Sequence, residues 1–155
     1  MKASRELHGG DRDGGSMAPL RATIEMESHE KFQATGYLGS HVLIHHPEKG
    51  RAREGPGPME LVLLGVGGCT AVDVVDILRK KREPVDAFRI EIEAERATKP
   101  PGVFTKIHMT YVLRGPRKDT NVKRAIDLSM EKYCSASIML KRGGVSVTTS
   151  YRLEK

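Results

Sequence analysis

The strongest constraint on the fold is a run of apolar and small residues from Leu61 to Leu78. It is entered through Gly55-Pro56-Gly57-Pro58 and left through Arg79-Lys80-Lys81-Arg82. Pro58 suits the first turn of a helix, where a missing N–H does no harm. The four cations suit the far end, where they face the negative end of the helix dipole. The pattern predicts a helix from about Pro58 to Lys81, roughly 35 Å long at 1.5 Å per residue. A helix apolar around most of its circumference belongs inside a protein, with neighbours on several sides. Gly65, Gly67 and Gly68 each cost such a helix roughly 1 kcal/mol against alanine. Three of them together imply close backbone approach, so a second helix is expected to cross here. Asp76 and Lys80 are spaced for an i,i+4 ion pair.

Cys69 directly follows the glycines. Cys134 lies in Glu131-Lys132-Tyr133-Cys134-Ser135, after an amphipathic segment and beside small residues. These are the chain's two cysteines, separated by 134 − 69 = 65 residues, so spacing alone does not pair them. Taken singly, each reads first as a small buried hydrophobe. With no secretory signal in view they read as reduced or redox-active thiols rather than a structural staple.

Gly57-Pro58-Met59-Glu60-Leu61, then Gly67-Gly68-Cys69-Thr70-Ala71, then Glu131-Lys132-Tyr133-Cys134-Ser135, resemble the OsmC/Ohr family (osmotically inducible protein C and organic hydroperoxide resistance proteins). The likeness runs in order over about residues 20–153. It implies an intertwined α+β homodimer that reduces organic hydroperoxides with two cysteines and no cofactor. By position, Cys69 would be peroxidatic and Cys134 resolving. The family also uses an Arg held by a Glu to favour the thiolate, which is the nucleophilic form. That Glu directly follows the Pro in the best-characterised members, where this chain has Met59. Glu60 comes one residue later and, nine residues before Cys69, falls roughly 180° around a straight helix from it. Glu60 is therefore the candidate supporting carboxylate, serving through a distorted first turn or elsewhere in the dimer. Arg51 and Arg53 are the nearest upstream cations. Asp73, four residues after Cys69 on the same face, would oppose thiolate formation unless neutralised. The pattern is closer to the OsmC-like branch of unassigned activity than to the hydroperoxide resistance branch.

The remaining segments frame these sites. A chain of 155 residues fits one domain, and with no Trp its core must come from Val, Ile, Leu, Met and Ala. Residues 1–16 are polar, carry four glycines and read as a flexible leader, with 17–155 as a single domain and Met17 as a candidate start. Residues 20–27, 31–38 and 41–45 suggest three strands, followed by a Pro/Gly-rich loop. In 86–95, Phe88, Ile90, Ile92 and Ala94 alternate with Arg89, Glu91, Glu93 and Glu95, the pattern of a strand with one wet face. Residues 103–113 are its hairpin partner. Asp119 or Thr120 can cap a second helix carrying Val122, Ala125, Ile126, Ser129, Met130 and Tyr133, which continues or restarts at Cys134. Val145, Val147, Thr149, Tyr151 and Leu153 form a last strand. The order gives an α+β fold with antiparallel sheets around the long helix.

The formal charge of +6 lies outside the leader, where Lys2, Arg5 and Arg12 balance Glu6, Asp11 and Asp13. It reads as a solvated basic surface, since neither helix–turn–helix nor aromatic-interleaved basic spacing is present. No apolar run of about 18 residues is free of glycine and charge, so neither a membrane span nor a nucleic-acid partner is expected, and the location expected is cytoplasmic. No metal site is expected: His45 and His46 are adjacent and the cysteines lack ligand spacing. Thr70 reads as a helix hydroxyl bonding backward rather than a nucleophile.

The leading expectation is a peroxidase that uses a Cys69 sulfenic acid and a Cys69–Cys134 disulfide, taking electrons from a dithiol reductant. The Val, Leu and Met around Cys69 favour a small organic hydroperoxide over hydrogen peroxide. Two rivals use the same scaffold. One is a non-catalytic protein holding a small apolar or electrophilic ligand; the other is an enzyme in which Cys69 acts on a different thiol-reactive metabolite.

Overall fold

The computed structural model describes residues 18–155; the leader expected over 1–16 and the candidate start Met17 lie outside the described residues. The chain divides into two compact units, one ending at Pro56 and one spanning Gly57–Lys155.

The first unit is an antiparallel meander of β1 (Thr23–Met26), β2 (Lys31–Thr35) and β3 (His41–His45). Thr23 pairs with Thr35, and Lys31 with His45. After β3 the Pro/Gly-rich loop folds back on the strand. His45 donates its N–H to the Pro56 carbonyl (3.1 Å), and the Glu54 N–H donates to His45 Nδ1 (2.9 Å). A Lys31–Glu54 ion pair (2.7 Å) fixes the same loop to β2.

The second unit is built on α1 (Pro58–Lys80). The Gly57 N–H donates to the Glu60 carboxylate (3.2 Å) and closes the first turn. At the far end Arg82 takes a left-handed conformation (φ 58°), and the Glu83 N–H reaches back to the Leu78 carbonyl (3.0 Å). This is the glycine-type helix stop, made here by an arginine. Between the ends, the helix presents two different rows. Val66, Thr70, Val74 and Leu78, spaced by four, are buried, while Leu64 and Val72 are 55% and 64% exposed. Within one chain, then, α1 is covered on one side, not around most of its circumference. Its length and apolar composition alone would let it cross a bilayer, although its buried row packs into the protein core.

The expected helix crossing at the glycines is not formed within the unit. A Cβ on Gly67 would lie 2.6 Å from Ile92 Cδ1, so the close neighbour there is a strand, and nothing lies within 4 Å of a Cβ on Gly65 or Gly68. Among the described residues no ion pair joins Asp76 to Lys80.

β4 (Ala87–Arg96) and β5 (Phe104–Arg114) form the expected hairpin, and Phe88, Ile90, Ile92 and Ala94 pack on the core. β6 (Ser146–Glu154) joins the other edge of β5 in parallel, with Ile107 opposite Val147 and Tyr111 opposite Tyr151. The sheet is thus mixed, where antiparallel pairing is expected from the element order. The helical segment between β5 and β6 returns the chain to the starting end of β5, the crossover that a parallel pair requires. This segment comprises α2 (Asp119–Leu128), one π turn (Ser129–Tyr133) and α3 (Ser135–Arg142). Neither Asp119 nor Thr120 caps α2; Lys118 is the cap position, and Asp119 instead accepts the Tyr151 hydroxyl (2.8 Å).

Candidate functional site

The two cysteines reach the same place from different kinds of backbone. Cys69 is half-buried on α1, one position beyond the open Gly68. Cys134 sits where the second helix breaks. Its N–H bonds to the Ser129 carbonyl five residues back (2.8 Å), and its own backbone is extended (φ −72°, ψ 91°). The extra residue in a π turn swings the following chain out of register, and such turns are frequent at functional sites. Lys141 Nζ donates to the Met130 carbonyl inside this turn (2.9 Å) and holds it. Cys134 then caps α3, with the Ser137 N–H donating to its sulfur (3.4 Å) and the Ser137 hydroxyl to its carbonyl (3.0 Å).

As a result Cys69 Sγ, Cys134 Sγ and an Asp73 carboxylate oxygen all lie within 4.8 Å of one another. Asp73 shares the Cys69 face of α1, one turn on. Cys134 is fully buried (0% exposed), and that burial pushes its thiol up from the ordinary value, partly offset by the Ser137 hydrogen bonds. Two soft sulfurs and a hard carboxylate oxygen can undergo thiol–disulfide chemistry through the sulfurs or bind a metal ion together.

A buried polar chain supports the site from below. Thr70 Oγ1 lies 2.7 Å from the Tyr111 hydroxyl and 2.8 Å from the Ser129 hydroxyl, and Ser129 Oγ donates to Asp73 Oδ2 (2.9 Å). The Tyr111 hydroxyl also reaches Met130 Sδ (3.6 Å). Burial pushes the Tyr111 phenol up to about 12, its bond with Thr70 opposing the shift. Thr70 therefore bonds sideways to β5 and the π turn, not backward along its own helix. Of this chain, the sequence points to Asp73 and Thr70 but gives Ser129 and Tyr111 no role. Ser129 reads there only as one more inward position of an amphipathic helix.

Glu60 is elsewhere. It caps the first turn of α1, and nine residues place it about 13 Å along the axis from Cys69. It is not among the groups that converge on the sulfurs within the second unit. Arg51 and Arg53 both belong to the first unit, where Arg51 pairs with Glu30 (3.5 Å). Two concavities flank the cysteine region. One, of about 410 Å³, is lined by Asp73, Asp76, Ile77, Lys80, Leu128 and Tyr133, among others. The other, about 290 Å³, lies between α1 and β4 and is lined by Leu64, Gly67, Gly68, Phe88 and Ile92, among others.

Residues 49–150 match the family described as OsmC-like protein. The chain belongs to that family. It is 44% identical over 99 residues to Protein YhfA of Escherichia coli strain K12, covering 63% of this chain and 73% of that one. Among solved structures, an OsmC-like protein from Mycoplasma pneumoniae superposes with a TM-score of 0.78 at 17% identity, over 90% of this chain and 100% of that one. An organic hydroperoxide resistance protein from Legionella pneumophila gives 0.66 at 15%, over 88% and 98%. At these identities the two structural likenesses are of fold alone. OsmC-like membership and the α+β architecture thus agree with the resemblance carried by the two cysteine motifs, and some members of the wider family are hydroperoxide resistance proteins.

Proposed function

We propose that this OsmC-like chain is a cysteine-dependent reductase of small organic hydroperoxides. The observation that carries the reading is the meeting of a half-buried Cys69 and a fully buried Cys134 within 4.8 Å. The Cys69 thiolate attacks one oxygen of the O–O bond, that bond breaks, and the other oxygen leaves as alkoxide, taking a proton to become the alcohol. Cys69 is then a sulfenic acid. The Cys134 sulfur displaces its hydroxyl as water, giving the Cys69–Cys134 disulfide, and a dithiol reductant returns both thiols by exchange. Exposure supports this division of labour. The attacking sulfur must be reachable, while the raised thiol of buried Cys134 keeps it a poor competitor for substrate.

The proposed functional form is a cytoplasmic homodimer. Support comes from apolar surface left open in each unit: Leu64 and Val72 on α1, Ile24 and Met26 on β1. A second copy is the economical cover for both, and Gly65 and Gly68 leave room for its approach. Glu60 would support the thiolate in that assembly. The apolar concavity beside Gly68 favours an alkyl or aryl tail. Steady-state turnover with a dithiol reductant should therefore be faster with cumene or tert-butyl hydroperoxide than with hydrogen peroxide. Equal or absent turnover with all three would contradict the proposal.

A further inference from the structure

We propose that the reduced protein binds a thiophilic divalent cation of the Zn²⁺ class through Cys69 Sγ, Cys134 Sγ and an Asp73 carboxylate oxygen. The proposal goes beyond the peroxidase reading and does not require it. Tetrahedral Zn²⁺, with Zn–S near 2.3 Å and Zn–O near 2.0 Å, holds its donor atoms about 3.5–3.8 Å apart. The three atoms here lie within 4.8 Å of one another, so side-chain rotation of about 1 Å closes the set. Cys69 and Asp73 are four residues apart on α1, the spacing that aims two ligands from one helix face. Cys134 completes the triangle from the π-turn break.

Two further features point to a cation. First, Asp73 is part-buried beside two sulfurs, and among the described residues no ion pair neutralises it. A bound dication would place positive charge between this carboxylate and the two sulfurs. Second, the ligands already have the outer contacts that metal ligands use. Asp73 accepts the Ser129 hydroxyl (2.9 Å), itself held by Thr70 (2.8 Å), and Cys134 Sγ accepts the Ser137 N–H (3.4 Å). Asp73 also lines a concavity of about 410 Å³. Binding replaces two thiol protons by the metal, and those protons go to solvent. Because the same two sulfurs would form the disulfide, metal occupancy and oxidation exclude each other: the ion caps the thiols, and joining them by an oxidant such as a hydroperoxide releases it.

The test is anaerobic titration of the reduced full-length protein with Co²⁺, read by absorption. The expected result is a thiolate-to-cobalt charge-transfer band in the near ultraviolet and strong visible bands of four-coordinate Co²⁺. These should saturate at about one ion per chain, with release of about two protons, and be abolished by Zn²⁺. Cys134→Ser and Cys69→Ser should each lose much of the charge-transfer intensity. Asp73→Asn should keep the sulfur band but weaken binding at least about tenfold. Circular dichroism checks folding, and alkylation of the wild-type thiols before titration provides the same loss without a substitution. Absence of the band in the reduced wild type overturns the proposal, as does a band unchanged by alkylation or an Asp73→Asn affinity equal to wild type. No hydroperoxide is present in the titration, so its outcome is separate from that of the turnover assay.

Discussion

The two cysteines of this chain occupy opposite kinds of site. Cys69 lies in the unbroken middle of α1, half-buried beside a glycine with open space above it. Cys134 lies where a helix fails, between a π turn and α3, and solvent does not reach it. The same side chain is therefore accessible in one place and held in reserve in the other. What joins them is the packing of α1 against the segment from α2 to α3. That packing is pinned inside by the Tyr111–Thr70–Ser129–Asp73 chain. Outside it is pinned by Glu83, whose carboxylate accepts the Arg117 N–H (2.7 Å) and the Asn121 side chain (2.6 Å) at the start of α2.

The largest effects should separate the two cysteines. Cys69→Ser should abolish hydroperoxide turnover, by at least about a thousandfold, since no other thiol reaches the substrate. Cys134→Ser should still consume one equivalent of hydroperoxide quickly but fail to form the intramolecular disulfide. Its Cys69 should advance to sulfinic acid under excess oxidant, visible by mass spectrometry. If both variants lose the first reaction equally, the division into attacking and resolving sulfurs is wrong. If Cys134→Ser turns over normally, Cys69 acts alone.

A smaller effect should come from the inner pin. Thr70→Val removes a hydroxyl on which two buried partners converge, and should cost about 1–3 kcal/mol of unfolding free energy, measured by urea denaturation. It should also slow disulfide closure after sulfenic acid formation, because Ser129 would hold Asp73 and the π turn less firmly. A stability loss with an unchanged closure rate would show that the polar chain supports the core but does not align the sulfurs.

The smallest effect tests the outer pin through pH. The Asn121 and Arg117 hydrogen bonds hold the Glu83 carboxyl below its ordinary value. A carboxylate lowered on folding contributes stability that is fully present above its unfolded value and is lost as pH falls through the folded one. Glu83→Gln should therefore melt below wild type near neutrality, with the gap closing in acid. A gap that stays constant with pH would assign the loss to packing rather than charge.

Much of the scaffold was legible because local pattern and tertiary demand agree there. The alternation from Phe88 to Ala94 is a strand with one buried face, and the Pro58 entry and basic exit bound α1 to within a residue. The legible site elements were the cysteines and the i,i+4 relation of Cys69 to Asp73. The parallel β6 was not legible, since strand direction depends on how a helical crossover returns the chain, not on the strand's own residues. The glycines alone also do not say what approaches them. Gly67 admits Ile92 from a strand, while Gly65 and Gly68 face open space, and composition does not distinguish a neighbour in the same chain from room for another. The π turn at Ser129–Tyr133 leaves no mark in an amphipathic pattern, yet it sets where Cys134 points. Ser129, at the centre of the polar chain, reads in sequence as an ordinary inward position.

In the proposed reaction the sulfurs of Cys69 and Cys134 act on one another. The most direct measurement treats the reduced protein with one equivalent of cumene hydroperoxide, blocks remaining thiols and maps disulfides by non-reducing peptide mass spectrometry. Both free thiols should be lost, with a Cys69–Cys134 cross-link formed within a single chain. Two unreacted thiols, or a cross-link only between chains, would contradict it.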